Sequence, residues 1–131
     1  MAFDPDMNVL VVDVAATMRR IMRAMLRELG VKNVREAEDG DMALADLKRY
    51  HGSGVKTDLV VSNWAMPKTD GIELLRAIRQ DEALKEIPVL LVTAESRREN
   101  IMEAIQAGVS GYIVKPFNSK TLEEKINKIF K

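Results

Sequence analysis

The sequence predicts an α/β domain: a doubly wound, five-stranded parallel sheet with helices on both faces. Three observations point there. Short runs rich in β-branched residues alternate five times with helical stripes, the pattern of strands joined by right-handed helical crossovers. The runs are apolar at consecutive positions, which suits strands buried on both faces. The length, 131 residues, fits a single domain over residues 1–131 with one hydrophobic core.

The elements follow in order. Residues 1–7, opening Met1-Ala2-Phe3-Asp4-Pro5-Asp6, read as a short tail without the basic-then-apolar pattern of a secretion signal. Asn8–Asp13 is the first strand. Met18, Ile21, Met22, Met25, Leu26 and Leu29 then recur at steps of three and four, placing all six on one core-facing helix face. Gly30 sits where that helix needs a C-terminal cap. Val34–Ala37 is a weaker strand. His51-Gly52-Ser53-Gly54 reads as a loose loop that leaves His51 on the surface. Asp58–Ser62 is the third strand, and Asp70 with Glu73 has capping-box spacing for the next helix. Pro88–Thr93 is the fourth strand. Ser96 with Glu99 repeats the box, Gly108 caps the helix that follows, and Gly111–Val114 is the fifth strand. Asn118 is placed to cap a last helix whose stripe is Leu122, Ile126, Ile129 and Phe130.

Composition narrows the function classes. Twenty Lys and Arg balance twenty Asp and Glu, so no net charge draws the chain to nucleic acid or an anionic membrane. No apolar run approaches the length of a membrane span. With no cysteine, disulfides, thiol catalysis and thiolate metal sites are excluded. An apolar fraction of 47% with 31% charged residues describes a compact cytoplasmic globule, expected to be a monomer. Met18, Met22 and Met25 read as core rather than as an adaptable binding surface.

In open sheets of this kind the working site lies beyond the carboxyl ends of the strands, where strand order reverses. That rule selects Asp13 after strand one, Asn63 after strand three, Thr93 ending strand four and Lys115 after strand five. A lone strand-end Asp is usually a cap, and a lone Lys before Pro says little. Four polar residues converging from four strand ends make a candidate site.

At these residues the chain resembles a known family. Val11-Val12-Asp13, Thr17-Met18-Arg19-Arg20, Glu36-Ala37-Glu38-Asp39-Gly40, Trp64 through Met66-Pro67, Asp70-Gly71, Val92-Thr93-Ala94-Glu95, Gly111-Tyr112, Lys115-Pro116-Phe117 and Thr121-Leu122-Glu123-Glu124-Lys125 match response-regulator receiver domains in order and spacing. The resemblance runs over residues 7–130 and is strongest to the single-domain regulators of chemotaxis and flagellar rotation in two-component signalling. It implies a flavodoxin-like sheet of strand order 2-1-3-4-5 and a cis bond between Lys115 and Pro116. It also implies a pocket in which an Asp ending strand three accepts a phosphoryl group. Two acids after strand one and the backbone carbonyl at Ala65 help hold Mg²⁺, while Thr93 and Lys115 contact the phosphoryl group. Thr93 and Tyr112 correspond to the family's coupled switch pair. Its partner face would present Arg97, Ile101, Tyr112, Val114, Lys125 and Lys128 here.

Asp13, Thr93 and Lys115 match that pattern, and two positions depart from it. The second acid is Val14 and the acceptor position is Asn63. An intact pocket sets three carboxylates against one ammonium, leaving two negative charges for a divalent cation to balance; Asp13 against Lys115 leaves none. Mg²⁺ dehydrates reluctantly and needs carboxylate oxygens, and an amide has no carboxylate oxygen with which to form an acyl phosphate. Ser62 is no substitute, because strand alternation turns it away from Asn63. The expectation is a pseudo-receiver, neither an enzyme nor a Mg²⁺ protein. It would act by binding a flagellar motor switch protein or another signalling protein, with a histidine kinase a further candidate partner. The alternative is an engineered form of an ordinary Mg²⁺-dependent, Asp-phosphorylated receiver. A flavin protein on the same layout is disfavoured, because Val14-Ala15-Ala16 supplies no phosphate cradle after strand one.

Overall fold

The computed structural model describes residues 3–66, 69–94 and 98–131. Strands and helices alternate throughout: β1 (Asn8–Val12), α1 (Ala16–Glu28), β2 (Asn33–Ala37), α2 (Gly40–Gly52), β3 (Leu59–Asn63), α3 (Gly71–Gln80), β4 (Val89–Thr93), α4 (Arg98–Gln106), β5 (Gly111–Val114) and α5 (Ser119–Ile129). The sheet is parallel, as the alternation of strands and helices predicts, and runs in the order β2-β1-β3-β4-β5 that the resemblance implies. Asn63 closes β3 opposite Val92, and Thr93 closes β4 opposite Val114.

Strand alternation divides the core into two layers. Val9, Val11, Leu59, Val61, Leu90, Val92 and Ile113 pack with Leu26 of α1 and with Leu122 and Ile126 of α5. Leu10, Val12, Val60, Val89 and Leu91 pack with Leu47 of α2, Leu75 of α3 and Ala104 of α4. Burying a side chain of this size contributes about 1.5–3 kcal/mol, so a one-residue slip that turned a strand over would be costly at every position.

Predicted helix ends hold where they fall on described residues. Asp70 and Glu73 form a reciprocal capping box at α3, and the Asn118 side chain accepts from the Thr121 amide. Gly30 and Gly108 take φ of 90° and 91° just past α1 and α4, the left-handed geometry that glycine adopts without a Cβ penalty. Ser96 lies outside the described residues. Arg79, on α3, ties together the segments that lead into β4 and β5. It donates to the carbonyls of Lys85, Ile87 and Gly108.

Four expectations change. The tail docks on the domain: Phe3 and Met7 are buried in the same core layer as Val9, because two large apolar side chains flank a tight Asp4–Asp6 turn. The α1 stripe is wider than the core it faces: Met22 and Leu26 are buried, Met18, Met25 and Leu29 are half-buried, and Ile21 is 42% exposed. His51 belongs to the last turn of α2, not to the loop, although it is exposed as expected. β3 runs one residue later than predicted, so Asn63 ends the strand instead of following it.

Candidate functional site

The carboxyl ends of β1, β3, β4 and β5 bring the expected residues to one place. Asp13, Asn63 and Lys115 line a narrow crevice together with Met18 and Met22. Asn63, Thr93 and Lys115 line an adjoining cavity of about 400 Å³, bordered also by Trp64, Ala65, Ala94 and Asn100. Asn100 reaches it from α4, a contribution the sequence reading missed.

Gly71 sets the position of the β3 end. It donates to the Trp64 carbonyl at 2.8 Å, and a Cβ there would lie 2.7 Å from the Asn63 carbonyl oxygen. Only glycine lets the start of α3 close this tightly on the strand end. Ser62 faces the other way. It is fully buried, and its hydroxyl donates to the Asn63 carbonyl oxygen at 2.9 Å, as the pleat requires.

The Asn63 amide spans the site. Its Oδ1 accepts from Lys115 Nζ at 3.0 Å, and its Nδ2 donates to the Ala65 carbonyl at 2.9 Å. An ammonium can only donate and a carbonyl can only accept, so the two partners fix which end of the amide faces which. The Ala65 carbonyl, the backbone oxygen that the resemblance assigns to metal, therefore meets an N–H donor. Asp13 is buried, and its Oδ1 accepts from the Ala15 amide at 3.0 Å. Val14 carries its alkyl side chain at 52% exposure. No three Asp, Glu, His or Cys side chains converge among the described residues.

Residues outside the expected set hold the β1–α1 loop. The Arg19 guanidinium donates to the carbonyls of Asp13 at 2.7 Å and Val14 at 3.3 Å, and its Nε pairs with Glu36 at 2.8 Å. Arg23 pairs with the other Glu36 oxygen. Burial pushes the Glu36 carboxyl up, but the bonds and charges of Arg19 and Arg23 together outweigh it, and its pKa falls below the ordinary 4.5. Arg19 and Glu36 stand in the matched segments, yet nothing in their spacing announces this pairing across two elements.

The residues that the resemblance assigns to a switch pair and a partner face lie on the opposite flank. Thr93 is buried at the end of β4, and its carbonyl accepts from the Lys115 amide at 2.8 Å. Tyr112 is half-buried on β5, with Lys125 Nζ 5.2 Å from its ring centroid, a cation–π contact. Ile101 and Lys125 are half-buried, while Val114 and Lys128 are exposed. Arg97 lies outside the described residues. Two large apolar side chains missing from the expected set, Met102 and Ile105 on α4, are 46% and 54% exposed. Ile101-Met102 and Ala104-Ile105 make α4 apolar on more than one face, a surplus visible in the sequence. The Lys115–Pro116 bond is cis, as the resemblance implies.

A parallel 2-1-3-4-5 sheet with these residues at its switch point defines a receiver of two-component signalling. The family model described as "Response regulator receiver domain" matches residues 9–127, and the chain belongs to that family. Within it the chain is CheY-like and of chemotaxis signalling. It is 54% identical over 125 residues to chemotaxis protein CheY-3 of Vibrio cholerae, covering 95% of this chain and 92% of the relative. It is 53% identical over 124 residues to chemotaxis protein CheY of Pseudomonas aeruginosa, covering 95% and 96%. Among solved structures, Vibrio cholerae CheY4 crystallised at pH 4.0 superposes with a TM-score of 0.84 at 31% identity, covering 95% of this chain and 98% of that one. A response regulator from Chloroflexus aurantiacus gives 0.85 at 26% identity with the same coverage. No helix among the described residues is long and apolar enough to cross a membrane.

Proposed function

We propose that this receiver signals by protein binding without phosphorylation or a resident Mg²⁺. The observation that carries the reading is the Asn63 amide held between Lys115 and the Ala65 carbonyl. A divalent cation would have to break the bond to Ala65 and would then meet an amide, an alkyl side chain at Val14 and one carboxylate at Asp13. That donor set does not fit an ion that keeps its waters unless carboxylates replace them. Phosphoryl transfer works through positioning and charge neutralisation, and Asn63 adds a second obstacle, having no carboxylate to attack phosphorus. The protein is therefore not an enzyme in its own right.

The binding surface is the α4–β5–α5 face, working in the cytoplasm against a flagellar motor switch protein or another signalling protein. Met102 and Ile105 on α4 and Val114 on β5 expose apolar side chains, Tyr112 on β5 carries Lys125 over its ring, and Lys128 on α5 is exposed. An aromatic anchor within apolar surface and a charged rim is the composition of a protein interface. The test incubates the purified chain with acetyl phosphate and Mg²⁺, then assays hydroxylamine-labile phosphate and affinity for the cognate motor switch protein. No label and an affinity unmoved by the phosphodonor are expected. Stoichiometric acyl phosphate would overturn the reading.

A further inference from the structure

We propose that Met18, Met22 and Met25 form a thioether site on α1 for a soft monovalent metal ion, Cu(I). The inference goes beyond the preceding reading and stands whether or not residue 63 takes a phosphoryl group. Positions 18, 22 and 25 are spaced by four and three residues, so their side chains share one helix face, with Cβ atoms about 5–6 Å apart between neighbours. All three line one open groove of about 190 Å³ between α1 and the segment that follows β5. Met22 is the most buried of them at 7% exposure, while Met18 and Met25 are half-buried. The flexible bonds of each methionine let the three sulfurs turn toward one another.

The donor chemistry sets the ion. Thioether sulfur is soft and uncharged, and it selects Cu(I) over hard cations that require carboxylate oxygen. Among the described residues, no His, Asp or Glu lines this groove, and the chain has no cysteine. Lys115 does line it, but its Nζ is held by Asn63 Oδ1 at 3.0 Å, which commits its charge to the strand-end pocket. Asp13 lines the crevice that shares Met18 and Met22 with the groove and supplies a carboxylate on the side of the bound cation. Phe117 borders the groove, and an aromatic ring attracts a cation that has shed its water. Packing alone does not call for sulfur at these positions, since leucine matches methionine in volume. Ile21 of the same stripe is 42% exposed, so this part of α1 carries more apolar side chain than there is core to cover. An ion held by the three thioethers would brace α1 against segment 115–117, beside the strand-end site.

The experiment titrates Ag(I), a redox-inert probe of the same softness, into the full chain labelled with ¹³C-methyl methionine in chloride-free buffer. Cu(I) is then titrated anaerobically against a chromogenic Cu(I) chelator. A single saturable equivalent is expected, with the methyl signals of Met18, Met22 and Met25 shifting together. Those of Met42 and Met102, exposed on other helices, should stay in place. Met18→Leu or Met25→Leu should weaken binding by about tenfold or more, at least the scale of losing a group that supports a metal. Replacing all three by leucine should abolish it. Met102→Leu and His51→Gln, which remove an exposed thioether and the only imidazole of the chain, should bind as the unmodified chain does. Leucine keeps the packing volume, and thermal melts establish that each variant is folded; the single variants and the methyl shifts decide if the triple variant is not. Three results would overturn the proposal: no saturable binding of either ion, unchanged binding in the folded leucine variants, or loss of binding in Met102→Leu or His51→Gln.

Discussion

The two flanks of the strand-end site differ in kind. On the flank formed by β1 and β3, the backbone geometry of a receiver is in place while the chemistry is altered. Gly71 still closes on the β3 end, Arg19 still holds the β1–α1 loop, and Asn63 and Asp13 line the expected crevice. Yet one carboxylate stands there where the family pattern has three. On the flank formed by β4 and β5, both geometry and residue types agree with the pattern, from Thr93 through Tyr112 to Lys115. The lesson is that a fold positions side chains without regard to what they do. Backbone hydrogen bonds and core packing place residues 14 and 63, and neither depends on a carboxylate there.

The largest effect should come from making the flanks chemically alike. Val14→Asp with Asn63→Asp restores an acceptor and both missing carboxylates beside an unchanged Thr93 and Lys115. Acyl phosphate from acetyl phosphate and Mg²⁺ should rise from none to stoichiometric. Val14→Asp alone should form none, because an amide remains at the acceptor position. Asn63→Asp alone should react slower by roughly tenfold or more, as expected for groups that act as one unit. Equal rates for the single and double variants would remove residue 14 from the comparison. A folded but inert double variant would show that the altered flank has lost more than two carboxylates.

Most of the fold was legible, since buried parallel strands announce themselves as apolar runs and helix ends as glycines and capping boxes. The failures were local. Phe3 looked like tail because a two-residue apolar signal around a turn carries no period, and Ile21 looked like core because a helix stripe can be wider than the surface it covers. The site's membership was legible through strand-end placement and family spacing. Its wiring was not: the bridge from Lys115 through Asn63 to Ala65, and the hold of Arg19 and Glu36 on the loop, join residues that only tertiary structure brings together. Asn100 was missed because an amide on a helix does not distinguish a pocket from ordinary helix surface, whereas the exposure of Ile105 was legible in the apolar surplus of α4.

A smaller effect concerns the stability cost of one carboxylate on the altered flank. In metal-free Asn63→Asp, the introduced carboxyl faces the Ala65 carbonyl in place of an N–H donor and shares the crevice with Asp13. Pairing with Lys115 offsets part of that repulsion. A net loss of about 1 kcal/mol at neutral pH is expected, equivalent to about one pKa unit of disfavoured ionisation. Net repulsion would raise the folded-state pKa of that carboxyl, and the penalty would then be absent below its unfolded value and reach full size above the folded one. Urea midpoints of the two proteins in EDTA, compared at acidic and neutral pH, measure it. A higher midpoint for the variant at neutral pH would mean that Lys115 outweighs the repulsion.

The smallest effect lies in the loop that carries Asp13 and Val14. Glu36 accepts from Arg19 Nε and from both Arg23 Nε and Nη2, and so keeps the Arg19 guanidinium aimed at the Asp13 and Val14 carbonyls. Glu36→Gln retains the shape and removes the charge. Because the Glu36 pKa is lowered in the folded chain, its contribution is present above the unfolded value and is lost as pH falls through the folded one. Gln keeps an acceptor oxygen for the arginines, whose partner stays partly solvated at 30% exposure, which leaves a cost of about 0.5 kcal/mol at pH 7. The difference in denaturation midpoint between Glu36→Gln and the unmodified chain should shrink as pH drops below 4.5, the ordinary value for this group, and shrink also in high salt. Amide exchange at Ala15, whose N–H rests on Asp13, should quicken in the variant, while exchange at Lys115 on the other flank stays unchanged. Equal acceleration on both flanks would show that the loop and the β5 end move as one body, and the division between them would fail. A midpoint difference that persists unchanged at pH 3 would assign the effect of Glu36 to packing and not to its charge.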